Sequence, residues 1–289
     1  MKSLSDCTVA IVGLGLMGGS LAGALRGQCK CVVGVARRQA TLDFAHAHNF
    51  IDVGTPDLIE GVRDADVVIL GTPVRVIIEQ LTEIAPHLRE GCIVMDLGST
   101  KSFIVDAMDH LLPAHVQPLG THPMCGKETS GIEVAETTLY NGCTFILTPL
   151  ARTTDETMAL GRDLAKAVGA NPLVLGPDQQ DFLVGTVSHL PYLLACSLVA
   201  TADATTSKDP AMWKIVAGGY RDTSRVAGSD VKMMLDILMT NKAHILDAVH
   251  AFEAQLQNLM RLIETEDEDK LHEVLSLSLI HISEPTRPY

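Results

Sequence analysis

Three groups of residues have the types and spacings that chemistry needs. Gly13-x-Gly15-x-x-Gly18 lies between an apolar run and a helical stretch. In that setting the first glycine permits a tight turn, the second lets backbone approach a pyrophosphate, and the third lets helix and strand pack closely. The phosphates would rest on free N–H groups at the helix start, around Leu16 and Met17, favoured by the helix dipole. About twenty residues on, where an acid usually grips the adenosine ribose, the chain has Ala36 followed by Arg37 and Arg38. Two guanidiniums without a carboxylate suit a ribose 2′-phosphate, so NADP is expected, with NAD as the weaker alternative. Solvated arginines at a helix start are the other reading.

The second group closes two later apolar runs: Gly71-Thr72-Pro73, and Asp96–Lys101 reading DLGSTK. Open α/β sheets bind ligands at such carboxyl ends, which makes Thr72 and Pro73 cofactor contacts. Ser99 reads as a helix cap, or as a hydrogen-bonding partner of substrate or base, and the two roles are compatible. In the third group, His122 stands in the segment GTHPMCGKE, where Pro and Gly are expected to hold the loop rigid. An imidazole there suits a general base, because its ordinary pKa lies near operating pH. Further on, Arg221 and Arg225 are spaced to share a helical face and offer a positive spot to an anionic substrate. Surface ion pairs with Asp222 or Asp230 are the alternative. Trp213 and Met233-Met234 read as core or dimer packing rather than cofactor contacts.

The elements that position these residues follow from periodicity. Short Val-, Ile- and Leu-rich runs at 7–12, 31–35, 67–70, 92–96, 116–119, 144–147 and 173–175 predict strands buried on both faces. Amphipathic stretches at 18–26, 39–48, 74–87, 101–111 and 155–168 predict the helices between them. That alternation predicts a Rossmann-type, doubly wound parallel sheet over residues 1–176. After Gly176-Pro177 only helical periodicity remains, so 177–275 reads as an all-α domain for substrate binding and dimerisation. A long helix is expected from 178 to about 204, kinked at Pro191, with others at 211–217, 230–239 and 242–263. Gly218-Gly219 reads as the stop for the helix carrying Trp213. Residues 276–289, SLSLIHISEPTRPY, show no helical period and read as a non-native tail.

Composition removes whole classes of function. The chain has 289 residues, of which 22 are basic and 35 acidic, a formal charge of −13. Such an excess disfavours nucleic acid and anionic membrane surfaces as partners. No continuous apolar run reaches about 18 residues, so no membrane span is expected. The seven cysteines are scattered and form no C-x-x-C pair. Neither a disulfide framework nor a metal site is indicated, and a reduced cytoplasmic setting is expected.

The segments GLGLMGGSLA (13–22), DLGSTK (96–101), HPMCG (122–126), SHLP (188–191) and GYRDTSRV (219–226) together resemble the prephenate/arogenate dehydrogenase family of tyrosine biosynthesis. The RDTSRV run is most similar to cyanobacterial-type arogenate dehydrogenases. The resemblance spans about residues 7–275. It implies oxidative decarboxylation of a hydroxylated cyclohexadiene, L-arogenate or prephenate, and a homodimer. It also implies that His122 takes the hydroxyl proton, that Ser99 hydrogen-bonds in the site, that Arg225 binds a substrate carboxylate and that His189 contributes to substrate binding. Where some relatives carry a second histidine, three positions after His189, this chain has Tyr192, which weakens the case for prephenate as preferred substrate, and the RDTSRV resemblance favours arogenate. Other readings are a β-hydroxyacid dehydrogenase, an imine reductase, or a non-catalytic NADP-sensing module.

Overall fold

A computed structural model of the chain describes residues 2–282. Its first half is a sheet of eight strands: β1 (Thr8–Val12), β2 (Cys31–Val35), β3 (Val53–Thr55), β4 (Val67–Leu70), β5 (Ile93–Asp96), β6 (Gln117–Pro123), β7 (Thr144–Pro149) and β8 (Asn171–Val174). They run in the order β3-β2-β1-β4-β5-β6-β7-β8. The order reverses direction at β1, and the carboxyl ends of β1 and β4 therefore flank a crevice, the place where such sheets take ligands. Six helices connect the strands: α1 (Leu16–Leu25), α2 (Gln39–Ala47), α3 (Leu58–Val62), α4 (Val74–Ile84), α5 (Ser102–Leu111) and α6 (Asp155–Ala167). They cover both faces. One apolar core, with Ile11, Leu21, Leu25 and Phe145, lies against one face, and a second, with Val68, Ile77, Leu81 and Ile104, against the other.

Four expectations need correction here. The sheet is not wholly parallel, because β7 runs antiparallel to β6. No α-helix connects these two strands; a single 3₁₀ turn, Ile132–Val134, lies between them, and without a crossover helix the chain reverses rather than winding back. β3 and α3 were not foreseen. β3 has three residues and a central glycine, and α3 has five, too few for either to show a period. β6 runs to Pro123, so His122 sits inside a strand, paired with Ile146, and not in a loop fixed by Pro and Gly. Finally, α5 begins at Ser102 and the Ser99 side chain does not cap it.

From Pro177 onward the described residues are helical. The elements are α7 (Pro177–Val184), α8 (Leu190–Thr206), α9 (Gly218–Ser224), α10 (Val231–Thr240), α11 (Lys242–Glu264) and α12 (Glu268–Ile282). A single π turn, Gly185–His189, joins α7 to α8. Pro191 has no N–H to return to the preceding turn, and the widened turn absorbs that loss. The Trp213 segment is a 3₁₀ helix, Pro210–Ile215, and Gly218 opens α9 rather than closing that segment. Residues 276–282, expected to lack helical character, continue α12; residues 283–289 lie outside the described part.

The continuous helical stretch Pro177–Thr206 contains an 18-residue window with a mean hydropathy of 1.7, long and apolar enough to cross a membrane by length and composition alone. Gln180, Asp181 and His189 are nonetheless buried within it and hydrogen-bonded to other elements. A helix alone in lipid would leave those groups without such partners.

Candidate active site

A cleft of about 720 Å³ opens between the carboxyl edge of the sheet and the helical half. One wall is the glycine turn. Gly13 adopts φ +93°, and a Cβ there would come within 2.7 Å of Thr72 Cγ2. A Cβ on Gly18 would overlap the Gly13 carbonyl. Gly15, by contrast, has open space where its side chain would be, and it caps α1 with no side-chain acceptor for the first N–H groups. Gly15, Leu16 and Met17 line the cleft beside Thr72 and Pro73. An empty volume over unsatisfied N–H groups at a helix start fits a pyrophosphate. Arg37 and Arg38 are exposed just past the end of β2, with Arg38 at the N-cap of α2.

Ser99 and His122 share the same cleft. His122 is 8% exposed, and its Nδ1 lies 3.1 Å from Gln180 Oε1. Burial of the ring, reinforced by the Lys101 charge, pushes its pKa down to about 3. The imidazole is therefore neutral near pH 7. His189 differs in environment. It is 1% exposed and is not on the cleft wall; its Nδ1 lies 3.2 Å from Asn241 Nδ2, and burial lowers its pKa to about 4. An amide NH₂ can only donate, so Nδ1 accepts and the proton sits on Nε2. That Nε2–H is buried without a partner among the described residues.

Arg225 lies at the rim, more than half exposed, and its guanidinium pairs with Glu128, which lines the cleft. A substrate carboxylate would have to exchange with, or add to, that contact. Arg221 sits on α9 without an ion pair among the described residues. Met233 and Met234 line the cleft, Met234 being 7% exposed, and Trp213 is exposed and lies edge-on against Tyr220.

Beneath these residues is a polar network that motif reading missed. Asp96 and Lys101 are both 0% exposed and form an ion pair. Asp96 also accepts from the N–H groups of Gly98 at 2.8 Å and Thr121 at 2.9 Å. Burial pushes the Asp96 carboxyl up and the Lys101 ammonium down, and their mutual contact opposes both. From α7, the Asp181 carboxylate accepts Lys101 N–H at 2.6 Å and Ser102 N–H at 2.8 Å. The helical half thus supplies the N-terminal cap of α5. Asn241 Nδ2 donates to Asp181 O at 2.7 Å, tying the start of α11 to the same knot. Nothing in the local sequence sets them apart: Asp181 ends the polar run Asp178–Asp181, and Asn241 lies between Thr240 and Lys242.

A family model described as "Prephenate dehydrogenase, nucleotide-binding domain" matches residues 21–174. One described as "Prephenate dehydrogenase, dimerization domain" matches 176–277. The chain is similar to a prephenate dehydrogenase of Bacillus subtilis, 32% identical over 94% of this chain and 74% of that protein. Among solved structures it is similar to the prephenate dehydrogenase of A. aeolicus in complex with hydroxyphenyl propionate and NAD+. That pair has a TM-score of 0.90 and 33% identity, covering 98% of this chain and 99% of the other. The arogenate dehydrogenase of Synechocystis follows at a TM-score of 0.81 and 29% identity, covering 94% and 97%.

Proposed function

Since the chain belongs to the prephenate dehydrogenase family and is a dehydrogenase, we propose that it oxidises and decarboxylates L-arogenate with NADP, in tyrosine biosynthesis. The observation that carries the reading is the placement of His122 and Ser99 across one cleft from the glycine turn. When bound, the nicotinamide supplies the hydride acceptor. The chain's own residues handle the proton and the anion. The neutral His122 imidazole takes the ring-hydroxyl proton at Nε2, and Ser99 hydrogen-bonds in the same place. Positive charge developing on His122 is disfavoured by burial and by Lys101, so an anionic substrate beside the ring is what makes proton transfer favourable. Arg225 receives a carboxylate, a task for which a bidentate guanidinium is suited. His189, buried behind the cleft wall, is the further histidine that the resemblance puts on the substrate side.

Preference for arogenate is supported by the RDTSRV resemblance and by Tyr192 where some relatives carry a histidine. Asp230 also lines the cleft and offers the substrate ammonium a carboxylate. Prephenate is the second reading, favoured by the names of the B. subtilis and A. aeolicus relatives. Preference for NADP is supported by Ala36, Arg37 and Arg38 at the end of β2. Each charge-assisted hydrogen bond contributes ~1.5–3 kcal/mol, so two favour NADP by more than tenfold.

Residues 1–176 then form the cofactor domain and 177–275 the substrate and dimerisation domain. Exposed Leu235, Met239, Leu256 and Met260 on α10 and α11 suit burial in a homodimer. Seven free thiols fit a cytoplasmic setting.

The test is to follow absorbance of the reduced cofactor for all four pairings of arogenate or prephenate with NADP or NAD. Arogenate with NADP is expected to give the highest kcat/KM. Ala36→Asp is expected to shift preference toward NAD, and Arg37→Ala or Arg38→Ala to weaken NADP alone. Equal efficiency with NAD in the wild type would overturn the cofactor reading, and higher efficiency with prephenate the substrate reading.

A further inference from the structure

Gln180 is fully buried on α7, and two of its three side-chain contacts reach the carboxyl edge of the sheet. Its Nε2 donates to Asp181 Oδ1 at 3.0 Å and to Ser99 O at 3.4 Å. Both acceptors are incapable of donating in return, so the amide orientation is fixed by chemistry. The carbonyl oxygen Oε1 is thereby turned to His122 Nδ1, 3.1 Å away. An amide oxygen only accepts, which forces the proton onto Nδ1 and leaves Nε2 as the ring's acceptor.

We propose that Gln180 is a positioning residue for His122: it selects the Nδ1–H tautomer, fixes the ring plane, and so presents the Nε2 lone pair as the base. The inference rests on the reading of His122 as the base. A neutral amide is the group this position calls for. A carboxylate at 180 would face Asp181 and the Ser99 carbonyl, both of which need a donor. An apolar side chain would leave Nδ1 without an acceptor and free the ring to take its other tautomer.

The charged and titratable groups around the ring are consistent with this division of labour. Lys101, at the start of α5, and His189, in the π turn, both oppose a charge on His122. Asp96, on β5, is engaged by Lys101, and Asp181, on α7, by the backbone of α5 and by Gln180 itself. The amide of Gln180 is thus the group holding Nδ1. The helical half orients a base that the sheet carries, and the same residue holds the Ser99 backbone.

The experiment uses full-length protein labelled with ¹⁵N-histidine, with the His122 resonances identified by their loss in His122→Asn. Two-bond ¹H–¹⁵N spectra near neutral pH read the tautomer directly. The wild type is expected to show His122 protonated on Nδ1, and Gln180→Met and Gln180→Leu to show a mixture or the Nε2–H form. In the same variants kcat is expected to fall ~10–100-fold, the scale of a misoriented catalytic group, while substrate KM stays within about twofold. An Nε2–H form in the wild type, or an Nδ1–H form persisting in both variants, overturns the proposal. Near-normal turnover in His122→Asn would instead defeat the base reading, and the nitrogen spectra would still decide what Gln180 does to the ring.

Discussion

Removing the Asp181 carboxylate is expected to cost the protein a large part of its stability. In Asp181→Ala the backbone N–H groups of Lys101 and Ser102, held at 2.6 and 2.8 Å, lose their acceptor at a buried helix start. Each buried donor left unsatisfied costs ~1–3 kcal/mol. Gln180 Nε2 keeps only its longer contact to Ser99 O, and Lys101 loses a nearby negative charge. Summing the two N–H groups gives about 2–6 kcal/mol, and partial relaxation brings this to about 2–4 kcal/mol, against a typical total of about 5–15 kcal/mol. Asp181→Asn keeps one acceptor oxygen and is expected to lose about half as much. The assay is urea unfolding followed by circular dichroism at fixed protein concentration, with the slope checked for constancy across variants. A loss below about 1 kcal/mol in Asp181→Ala would mean that water satisfies the helix start in place of the carboxylate, and the cap would then carry no such weight.

Other outcomes follow from the same geometry. His122→Asn is expected to lower kcat by ~10²–10⁴-fold with little change in cofactor binding, and near-normal turnover would remove His122 as the base. Gly18→Ala drives a methyl into the Gly13 carbonyl and should raise the cofactor KM at least about tenfold, read from initial rates at saturating substrate. Arg225→Ala should raise substrate KM and leave cofactor affinity unchanged; an unmoved substrate KM would leave Arg225 as the partner of Glu128 alone. His122 and His189 are held neutral when folded, with pKa values of about 3 and about 4. The unfolded chain binds those protons from about pH 6.5 downward, so stability falls with falling pH until the folded pKa values are reached. At pH 5.5 each histidine costs about 1.4 kcal/mol relative to high pH, and His189→Asn should remove about that much of the pH dependence of urea unfolding.

Features that depend on neighbours along the chain can be read from the residues alone. The glycine turn was legible because a tight turn, a helix start and a close strand packing are all specified within six residues, Gly13 to Gly18. The long elements were legible too, since burial on both faces writes continuous apolar runs such as Val67–Leu70, and one-sided burial writes the period of α4. Legibility failed where the physics is non-local. β3 exists because β2 offers it a ladder, and its three residues carry no pattern of their own. β7 reverses against β6 because the segment between them builds no crossover helix, and the His122 backbone is placed by its pairing with Ile146 across that ladder. Only the tertiary structure brings α7 under the loop after β5, about eighty residues away in the chain, so that Asp181 caps α5 and Gln180 meets His122. Side chains that meet across such a separation leave no period or spacing, only buried polarity that has to be satisfied once the chain has folded.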